Sequence, residues 1–237
     1  MAAGWRDWIS EPDVITANPL PNAWRLITLE GGEGVGKSTV LHHVSELLAT
    51  ANAAEVVLTR EPGGTRVGEA LREILLGKGQ HAGGQVADAT ELLLLFAARA
   101  QHMAEVIQPA LARGAFVLCD RFTDSTYAYQ GAAGSSALEH IRDLESRFVG
   151  IHPGLTLLLD APIEVGRQRL AARGDAPDRI EEKADTFFER VRAGFLARAQ
   201  ADPGRIKVIN AARDPAEVRW QVQRTVLEYL AGHRISP

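Results

Sequence analysis

A glycine-rich segment between an apolar run and a helical run constrains this chain more than any other feature. The apolar run Leu26–Glu30 leads directly into Gly31-Gly32-Glu33-Gly34-Val35-Gly36-Lys37-Ser38-Thr39, and the helical run Val40–Val44 follows. This segment fits the pattern G-x-x-x-x-G-K-[ST] in the strand, loop and helix context that the pattern requires. Its glycines let backbone N–H groups wrap around phosphates, and the helix N-terminus adds a favourable dipole. The sequence therefore predicts a nucleoside triphosphate site, in which Lys37 reaches the β- and γ-phosphates and Ser38 binds Mg²⁺.

Short runs rich in Val, Ile and Leu alternate with longer helical stretches along the chain, which is typical of a parallel α/β sheet. The pattern predicts strands at Arg25–Glu30, Glu55–Thr59, Ala115–Asp120, Leu155–Asp160 and Arg205–Asn210. It predicts helices at Lys37–Thr50, Arg66–Leu76, Ala87–Leu111, Ser135–Val149, Ile163–Ala172, Lys183–Ala201 and Pro215–Ala231. Pro109 should kink the long third helix near its end. The predicted fold is a five-stranded parallel sheet flanked by helices, with strands buried on both faces.

The length of 237 residues suits one large domain. Residues 1–23 precede any strand signal and are predicted to form a loose or disordered extension, ahead of a single domain over 24–237. Two inserts without strands, 61–85 and 173–182, are candidates for mobile parts that cover a substrate.

Composition excludes several classes of partner. Acidic residues number 30 and basic residues 26, and a protein that coats nucleic acid normally has a basic excess. The longest apolar run, Leu92–Ala98, is too short to span a bilayer, and the N-terminus has no apolar signal-peptide segment. The single cysteine, Cys119, suits a reducing compartment. We therefore expect a cytoplasmic protein that binds neither nucleic acid nor membranes.

Charged residues follow the second and third predicted strands, where ligands bind in open α/β sheets. Asp120 can hold Mg²⁺ through water, the adjacent Arg121 can bridge two phosphates, and Arg60 lies at the same edge of the sheet. Arg173 enters the insert 173–182, from which it could swing a cation over a transferring phosphoryl group. The base-reading motif Asn-Lys-x-Asp of GTPases is missing from the sequence, which argues against that class.

Taken in order, five blocks of sequence resemble bacterial thymidylate kinases. These blocks are Gly31–Thr39, Thr59–Thr65, Leu95–His102, Asp120–Gly131, and Ala172–Gly174 leading into Asp178–Glu181. The resemblance covers about residues 25–231. It implies a P-loop NTPase fold of the nucleoside monophosphate kinase type with a mobile lid at about 173–182. The implied activity is transfer of the γ-phosphoryl group of ATP to dTMP, giving dTDP and ADP for dTTP biosynthesis.

The resemblance assigns roles to residues around the acceptor nucleotide. It implies that Phe96 stacks on the thymine ring and that Arg99 hydrogen-bonds the carbonyl edge of the ring. A spacing of three residues places these two side chains on one face of a helix. It also implies that Arg60 and Arg121 hold the dTMP phosphate, and that Glu33 meets the 3′-hydroxyl of the deoxyribose.

Further positions match the family around the sugar and the adenine. Ser125, Tyr127 and Gln130 match positions near the base and sugar of dTMP, and Tyr127 is expected to exclude a 2′-hydroxyl. Asn210 and Ala211, after the last strand, are expected to lie along the adenine of ATP.

Members of the family differ in where they carry one catalytic arginine. Here the phosphate loop has Gly34 at that position and the lid contains Arg173, so the chain resembles the lid-arginine type. Lys37, Arg121 and Arg173 are then the expected catalytic residues. The resemblance also implies a homodimer, for which the predicted helix 87–111 could supply an interface.

Two other functions remain open from the residues alone. Another P-loop nucleoside monophosphate kinase would share the phosphate loop but not the constellations Phe96–Arg99 and Tyr127–Gln130. A catalytically silent nucleotide-binding regulator would be expected to have lost Lys37, Arg121 or the lid arginine, and the sequence retains all three.

Overall fold

The computed structural model describes residues 22–51, 55–77, 86–172, 178–181 and 183–233. The predicted extension 1–23 lies almost entirely outside the described residues. Arg173 and most of the predicted lid lie outside them as well, so the role predicted for this arginine stays a prediction.

One parallel sheet organises the described part of the chain. Its strands are β1 (Leu26–Gly31), β2 (Val56–Arg60), β3 (Phe116–Asp120), β4 (Leu155–Asp160) and β5 (Ile206–Asn210). They lie in the order β2-β3-β1-β4-β5, and every neighbouring pair is parallel. The predicted five-stranded parallel sheet is therefore confirmed. Each strand begins within one residue of its predicted start and ends within one residue of its predicted end. All residues of the central strand β1 are buried, as its unbroken apolar run indicated.

The helices of the described residues follow the predicted pattern with three changes. They are α1 (Lys37–Thr50), α2 (Arg66–Leu76), α3 (Asp88–His102), α4 (Gln108–Ala112), α5 (Thr123–Thr126), α6 (Leu138–Phe148), α7 (Ile163–Ala171), α8 (Asp185–Ala201) and α9 (Pro215–Gly232). The predicted third helix is interrupted by a π-helical turn at Met103–Ile107, between α3 and α4. Pro109 follows directly and has no amide hydrogen to donate to Glu105, so the regular hydrogen-bond ladder cannot continue there.

The other two changes concern the chain between β3 and α6. The short helix α5 and a π-helical turn at Tyr127–Ala132 were not predicted, and α6 begins at Leu138 rather than Ser135. The residues of α5 are Thr, Asp, Ser and Thr, which are weak helix formers. Tertiary packing stabilises this segment instead, because every residue of α5 is buried and the π-helical turn packs against α8.

The helices pack against both faces of the sheet. Ile27 and Leu29 of β1 pack in a core with α1 and α9, whereas Leu26 packs in a second core with α3, α4 and α6. This alternation is what a strand buried on both faces requires. Because β2, β3, β1 and β4 are neighbours in a parallel sheet, their carboxyl ends lie side by side, and charged residues such as Arg60 and Asp120 lie there. Within the described residues, no helix is long and apolar enough to cross a membrane.

Candidate active site

The phosphate loop between β1 and α1 needs its glycines for close backbone packing. Gly34 has φ of 69°, and a Cβ atom there would lie 2.2 Å from the carbonyl oxygen of Gly166 in α7. Gly31 has φ of 137°, and its Cβ would lie 2.3 Å from the carbonyl oxygen of Leu159 in β4. Both positions combine a left-handed backbone with a contact that excludes any side chain. The loop is therefore held against β4 and α7, with its N–H groups near the start of α1.

Lys37, the first residue of α1, reaches back across this loop. Its Nζ donates to the carbonyl oxygens of Gly32 at 2.7 Å and Gly31 at 3.3 Å. Burial and the nearby Arg121 guanidinium lower the pKa of Lys37. The ammonium group is thus poorly solvated and close to another cation, which is a site that attracts phosphate anions.

Arg121 connects the end of β3 to the phosphate loop. It has φ of 69°, an uncommon conformation for a residue other than glycine. Its guanidinium donates to Glu33 Oε1 at 2.6 Å, to the carbonyl oxygen of Gly31 at 2.9 Å and to Ser125 Oγ at 3.2 Å. A strained backbone at this point is consistent with a functional constraint on the direction of the side chain.

Glu33 is the acidic residue of the phosphate loop and remains ionised in the fold. Burial opposes its charge, but Arg121, Lys37 and the Tyr129 hydroxyl, which donates to Oε1 at 3.0 Å, outweigh it. Together they lower the pKa of Glu33 to about 2. Glu33 is therefore a permanent hydrogen-bond acceptor at neutral pH.

Asp120 and Ser38 are the residues expected to hold Mg²⁺, and the structure brings both to the same cavity as Lys37. Asp120 Oδ1 is buried and has no hydrogen-bond partner among the described residues. An unpaired buried carboxylate oxygen is costly unless it has a ligand. A carboxylate and a hydroxyl beside a phosphate loop are ligands of the kind that Mg²⁺ prefers, so these residues fit the ion.

A cavity of about 580 Å³ lies beside the phosphate loop. Six of the residues expected around the acceptor nucleotide line it, namely Glu33, Arg60, Arg99, Arg121, Ser125 and Gln130. Arg60, at the end of β2, is half-exposed and pairs with Glu69 of α2 at 2.9 Å. Gln130 donates to Glu91 of α3 at 2.8 Å. The structure therefore assembles most of the predicted acceptor site around one enclosed space.

Tyr127 is a residue that the structure does not bring to this cavity. Its hydroxyl donates to Glu145 of α6 at 2.6 Å, and its ring lies 4.1 Å from the guanidinium carbon of Arg198. Tyr129 lines the cavity instead. Residues two apart in a helical turn face different directions, so the position facing the cavity depends on a turn that the sequence pattern did not reveal. The structure therefore does not bring Tyr127 to the predicted acceptor site, where its expected role in excluding a 2′-hydroxyl would require it to be.

Phe96 also lies outside the lining of the cavity. It is buried, and its ring centroid lies 4.9 Å from the guanidinium carbon of Arg99, while Leu95 is the neighbouring α3 residue that lines the space. In this structure Phe96 therefore contacts Arg99, and a direct contact with a base stays a prediction.

Two cations of the cavity wall were not assigned a role from the sequence. Arg72 of α2 lines the cavity and donates to the carbonyl oxygen of Pro62 at 2.9 Å. Arg179 donates to the carbonyl oxygen of Leu75 at 2.8 Å and forms an ion pair with Glu91. Arg179 thus joins the described part of the predicted lid, residues 178–181, to α2 and α3. No motif marks Arg72, whereas Arg179 lies within the block Asp178–Glu181 that matches the family.

Asn210 is the last residue of β5, and Ala211 follows it at the same carboxyl end of the sheet. The Ala211 N–H donates to the carbonyl oxygen of Asp160 at 2.8 Å, and Asn210 Oδ1 accepts from the Ala212 N–H at 3.1 Å. They are not among the residues that line the cavity, so their contact with adenine stays a prediction.

The fold and the site together define a class of protein. A phosphate loop follows the central strand of a parallel sheet, and a cavity lined by several arginines lies beside it. This arrangement is that of a P-loop nucleoside monophosphate kinase, which brings a triphosphate and a monophosphate together.

Comparisons with known proteins identify the family within this class. The thymidylate kinase family model matches residues 29–222. A thymidylate kinase of Methylococcus capsulatus is 51% identical over 212 residues, covering 88% of this chain and 98% of the relative. One of Pseudomonas fluorescens is 51% identical over 210 residues, covering 87% and 98%. The crystal structure of thymidylate kinase from Ehrlichia chaffeensis matches with a TM-score of 0.67 and 32% identity, over 85% of this chain and 97% of that one.

The chain therefore belongs to the thymidylate kinase family. The resemblance noted from the five sequence blocks is confirmed, and so is the prediction of an ATP-dependent kinase of this type.

Proposed function

We propose that this protein transfers the γ-phosphoryl group of ATP to dTMP, giving dTDP and ADP. One observation carries the proposal: the cavity for a second anion is lined by Glu33 and Lys37 of the phosphate loop and by Arg121, which hydrogen-bonds to that loop. Two phosphates bound on either side of these residues would be close neighbours, which is the arrangement that direct transfer needs. The names of the relatives support dTMP as the acceptor.

The phosphate loop Gly31–Thr39 is proposed to hold the phosphates of ATP, with Asn210 and Ala211 along the adenine. Lys37 is proposed to bind the β- and γ-phosphates. Its pKa is lowered by burial and then by the nearby Arg121, and a bound anion would stabilise the charged form. Ser38 and Asp120 would hold Mg²⁺, which when bound neutralises phosphate charge. The unpaired Asp120 Oδ1 supports this assignment.

Arg60 and Arg121 are proposed to bind the phosphate of dTMP. Arg121 already points at the phosphate loop through its contact with Glu33, and the side chain of Arg60 is exposed at the cavity wall. Arginine suits this role because its planar donors match phosphate oxygens in pairs. Charge on both nucleotides would then be compensated before the reaction begins.

Arg99, together with Phe96 and Gln130, is proposed to recognise the base. Arg99 lines the cavity, and its Nη1 is buried without a partner among the described residues. This nitrogen is free to donate to a carbonyl oxygen of thymine. Phe96 packs against the same guanidinium, so a small shift would be needed for it to stack on the ring.

Tyr129, Glu33 and Ser125 are proposed to surround the deoxyribose and its phosphate. The Tyr129 hydroxyl and Glu33 are joined by a 3.0 Å hydrogen bond, which fixes both at the cavity wall. The always ionised Glu33 can accept a hydrogen bond from the 3′-hydroxyl. The ring of Tyr129 would occupy the space that a 2′-hydroxyl needs.

No side chain is required to remove a proton from the acceptor. A phosphate monoester has a second pKa of about 6 and is already a dianion near neutral pH. The main obstacle is the repulsion between two polyanions, and Lys37, Arg121 and the lid residue Arg173 are proposed to reduce it. Closure of the lid over the site would exclude water and prevent hydrolysis of ATP.

A homodimer in the cytoplasm is part of the same proposal. Leu93 of α3 and Val67 of α2 are large apolar residues with 57% and 47% of their surface exposed, and α2 packs on α3. An exposed apolar surface of this kind is typical of an interface between subunits.

The experiment is a coupled ADP-release assay with ATP and Mg²⁺, using dTMP, dUMP, dCMP, dGMP and thymidine as acceptors. We expect dTMP to give the highest kcat/KM. Preference for another monophosphate would overturn the substrate assignment, and no turnover with any acceptor would favour a silent nucleotide-binding protein.

A matched pair of variants tests the assignment of the tyrosine. Tyr129→Phe should alter the preference for dTMP over its ribonucleotide counterpart, because the hydroxyl that fixes the ring to Glu33 is lost. Tyr127→Phe should leave that preference unchanged, since its hydroxyl contacts Glu145 in the core. The reverse result would restore the expectation drawn from the sequence.

A further inference from the structure

Arg99 is held in an unusually complete set of contacts for a residue that faces a cavity. Its side chain is 3% exposed, and its Nε donates to Glu61 Oε2 at 2.6 Å. Its Nη2 donates to Thr126 Oγ1 at 3.1 Å and to the carbonyl oxygen of Phe122 at 3.3 Å. Only Nη1 is left without a partner among the described residues. The protein therefore uses two of the three guanidinium nitrogens to fix the direction of the third.

Glu61 is itself held in place from two sides. Its backbone N–H donates to the carbonyl oxygen of Asp120 at 2.9 Å, which ties it to the end of β3. Its other carboxylate oxygen, Oε1, lies 2.9 Å from Nδ1 of His102, the last residue of α3. Because the carboxylate can only accept, Nδ1 must carry a proton and donate. Both carboxylate oxygens of Glu61 are then engaged, one by Arg99 and one by His102.

His102 completes the chain of contacts on its far side. It is fully buried, and its Nε2 lies 2.6 Å from Thr59 Oγ1 in β2. With Nδ1 protonated in the neutral ring, Nε2 accepts from the Thr59 hydroxyl. Arg99, Glu61, His102 and Thr59 thus form one buried network in which each contact limits the rotation of the next side chain.

Part of the same cluster has the ligand types of a metal site, but its ligand atoms are already engaged. Glu61, His102 and Cys119 have ligand atoms within 4.8 Å of one another. However, both oxygens of Glu61 already accept hydrogen bonds, and the Arg99 cation lies at 2.6 Å from one of them. A cation would have to displace Arg99, so the network serves the arginine.

We propose that Glu61 and His102 are positioning residues that hold the Arg99 guanidinium so that Nη1 donates to a carbonyl oxygen of the acceptor base. This inference rests on the role proposed for Arg99. The inference makes Glu61 and His102 responsible for discrimination between two kinds of base. One kind presents a carbonyl oxygen to Nη1 of Arg99, and the other presents an amino group. Thymine and uracil present a carbonyl oxygen where cytosine presents an amino group. The pair therefore sets the preference for dTMP over dCMP, but not for dTMP over dUMP.

The test uses substitutions that keep the buried volume nearly constant. His102→Asn places an amide nitrogen near the position of Nδ1 and preserves the donor to Glu61, whereas His102→Gln places its amide near Nε2 and loses that donor. Glu61→Gln removes the charge that attracts Arg99 while keeping the shape of the side chain. Arg99→Gln removes the donor to the base itself. The measurements are kcat/KM for dTMP, dCMP and dUMP, the KM for ATP, and a thermal unfolding curve of each variant.

We expect His102→Gln and Glu61→Gln to lower the ratio of kcat/KM for dTMP over dCMP by about 10- to 100-fold, the effect of one hydrogen bond to a charged group. His102→Asn should keep this ratio close to that of the unchanged protein. In all of these variants the preference for dTMP over dUMP and the KM for ATP should stay unchanged. A variant that had lost its structure in general would change both quantities. If Glu61→Gln fails to fold, the two His102 variants decide the question.

Three results would overturn the inference. If Arg99→Gln loses the preference over dCMP while His102→Gln and Glu61→Gln keep it, the positioning role is wrong and the role of Arg99 stands. If His102→Asn and His102→Gln lose the preference for dTMP over dCMP equally, the hydrogen bond from residue 102 to Glu61 does not determine this preference. If Arg99→Gln itself keeps the preference, the role proposed for Arg99 is wrong, and the positioning role with it.

Discussion

Glu30, near the end of β1, gives a prediction that depends on its burial and on its charged neighbour Asp124. It is fully buried, and its Oε1 accepts from the N–H groups of Phe122 at 2.7 Å and Ser125 at 3.3 Å, while Oε2 lies 2.6 Å from Ser125 Oγ. The neighbouring carboxylate of Asp124 is held ionised by two arginines. Burial, and then repulsion by Asp124, raise the pKa of Glu30 from 4.5 to about 8.

This raised pKa sets the sign of a pH effect on stability. In the folded protein Glu30 keeps its proton to about pH 8, whereas in the unfolded chain it loses the proton near pH 4.5. Its contribution to the free energy of unfolding is therefore fully present below the unfolded pKa and is lost as the pH rises through the folded pKa. The loss is about 1.4 kcal/mol per pH unit between these values, or about 5 kcal/mol at most.

Glu30→Gln is the perturbation that tests this effect. A glutamine has the shape of a protonated glutamate: its oxygen can accept from both N–H groups and its amide can donate to Ser125 Oγ. Because glutamine does not titrate, the variant should gain about 2–3 kcal/mol relative to the unchanged protein between about pH 5.5 and 7.5. Urea unfolding of both proteins at these pH values measures the difference, in which the contributions of all other shared titratable groups cancel.

A difference between the two proteins that stays constant with pH would refute this reasoning, since it would mean that Glu30 is ionised in the fold. Glu139→Gln, on the exposed side of α6, is the control for the substitution itself. Its unfolding curves should follow those of the unchanged protein across the same pH range.

Two further predictions concern packing and buried charge. Gly34→Ala should lower the melting temperature and raise the KM for ATP, because its Cβ meets the backbone of α7. In folding stability, Gly36→Ala should cost only the strain of a left-handed backbone, about 1 kcal/mol, because its Cβ has no protein atom within 4 Å. Equal effects of the two would contradict the packing argument. Asp124→Ala should lower the free energy of unfolding, measured in urea, by about 3–5 kcal/mol, because it leaves buried Arg205 without its main partner. Asp202→Ala removes the more exposed partner of the same arginine and should cost about 1 kcal/mol or less in the same measurement.

The parts of the fold that local sequence pattern controls could be predicted, and the parts that depend on distant contacts could not. Runs rich in apolar residues identified all five strands. Burial on both faces is confirmed for β1, β3 and β4, whereas β2 and β5 are edge strands that are only partly buried, which is where Arg60 and Lys207 can be accommodated. The glycines of the phosphate loop and the adjacent Lys37 could be identified because their spacing follows from the geometry of phosphate binding.

The helical turn after β3 could not be predicted in the same way. Its polar residues are weak helix formers, and they are helical because Glu30 and α8 hold them in place. This is why the sequence pointed to Tyr127, whereas the structure places Tyr129 in the cavity. The contact between Glu61 and His102 joins residues 41 positions apart, so no local pattern could reveal it.

The central claim is that the phosphate loop with Lys37 binds the phosphates of ATP, while Arg60, Arg99 and Arg121 in the adjoining cavity bind the acceptor. The most direct measurement compares Lys37→Ala with Lys207→Ala, a lysine of β5 outside both sites, in steady-state turnover and in dTMP binding by calorimetry. The account predicts that Lys37→Ala lowers kcat/KM by about 10²–10⁵ with the Kd for dTMP unchanged, and that Lys207→Ala changes neither. Near-normal turnover of Lys37→Ala would contradict the account.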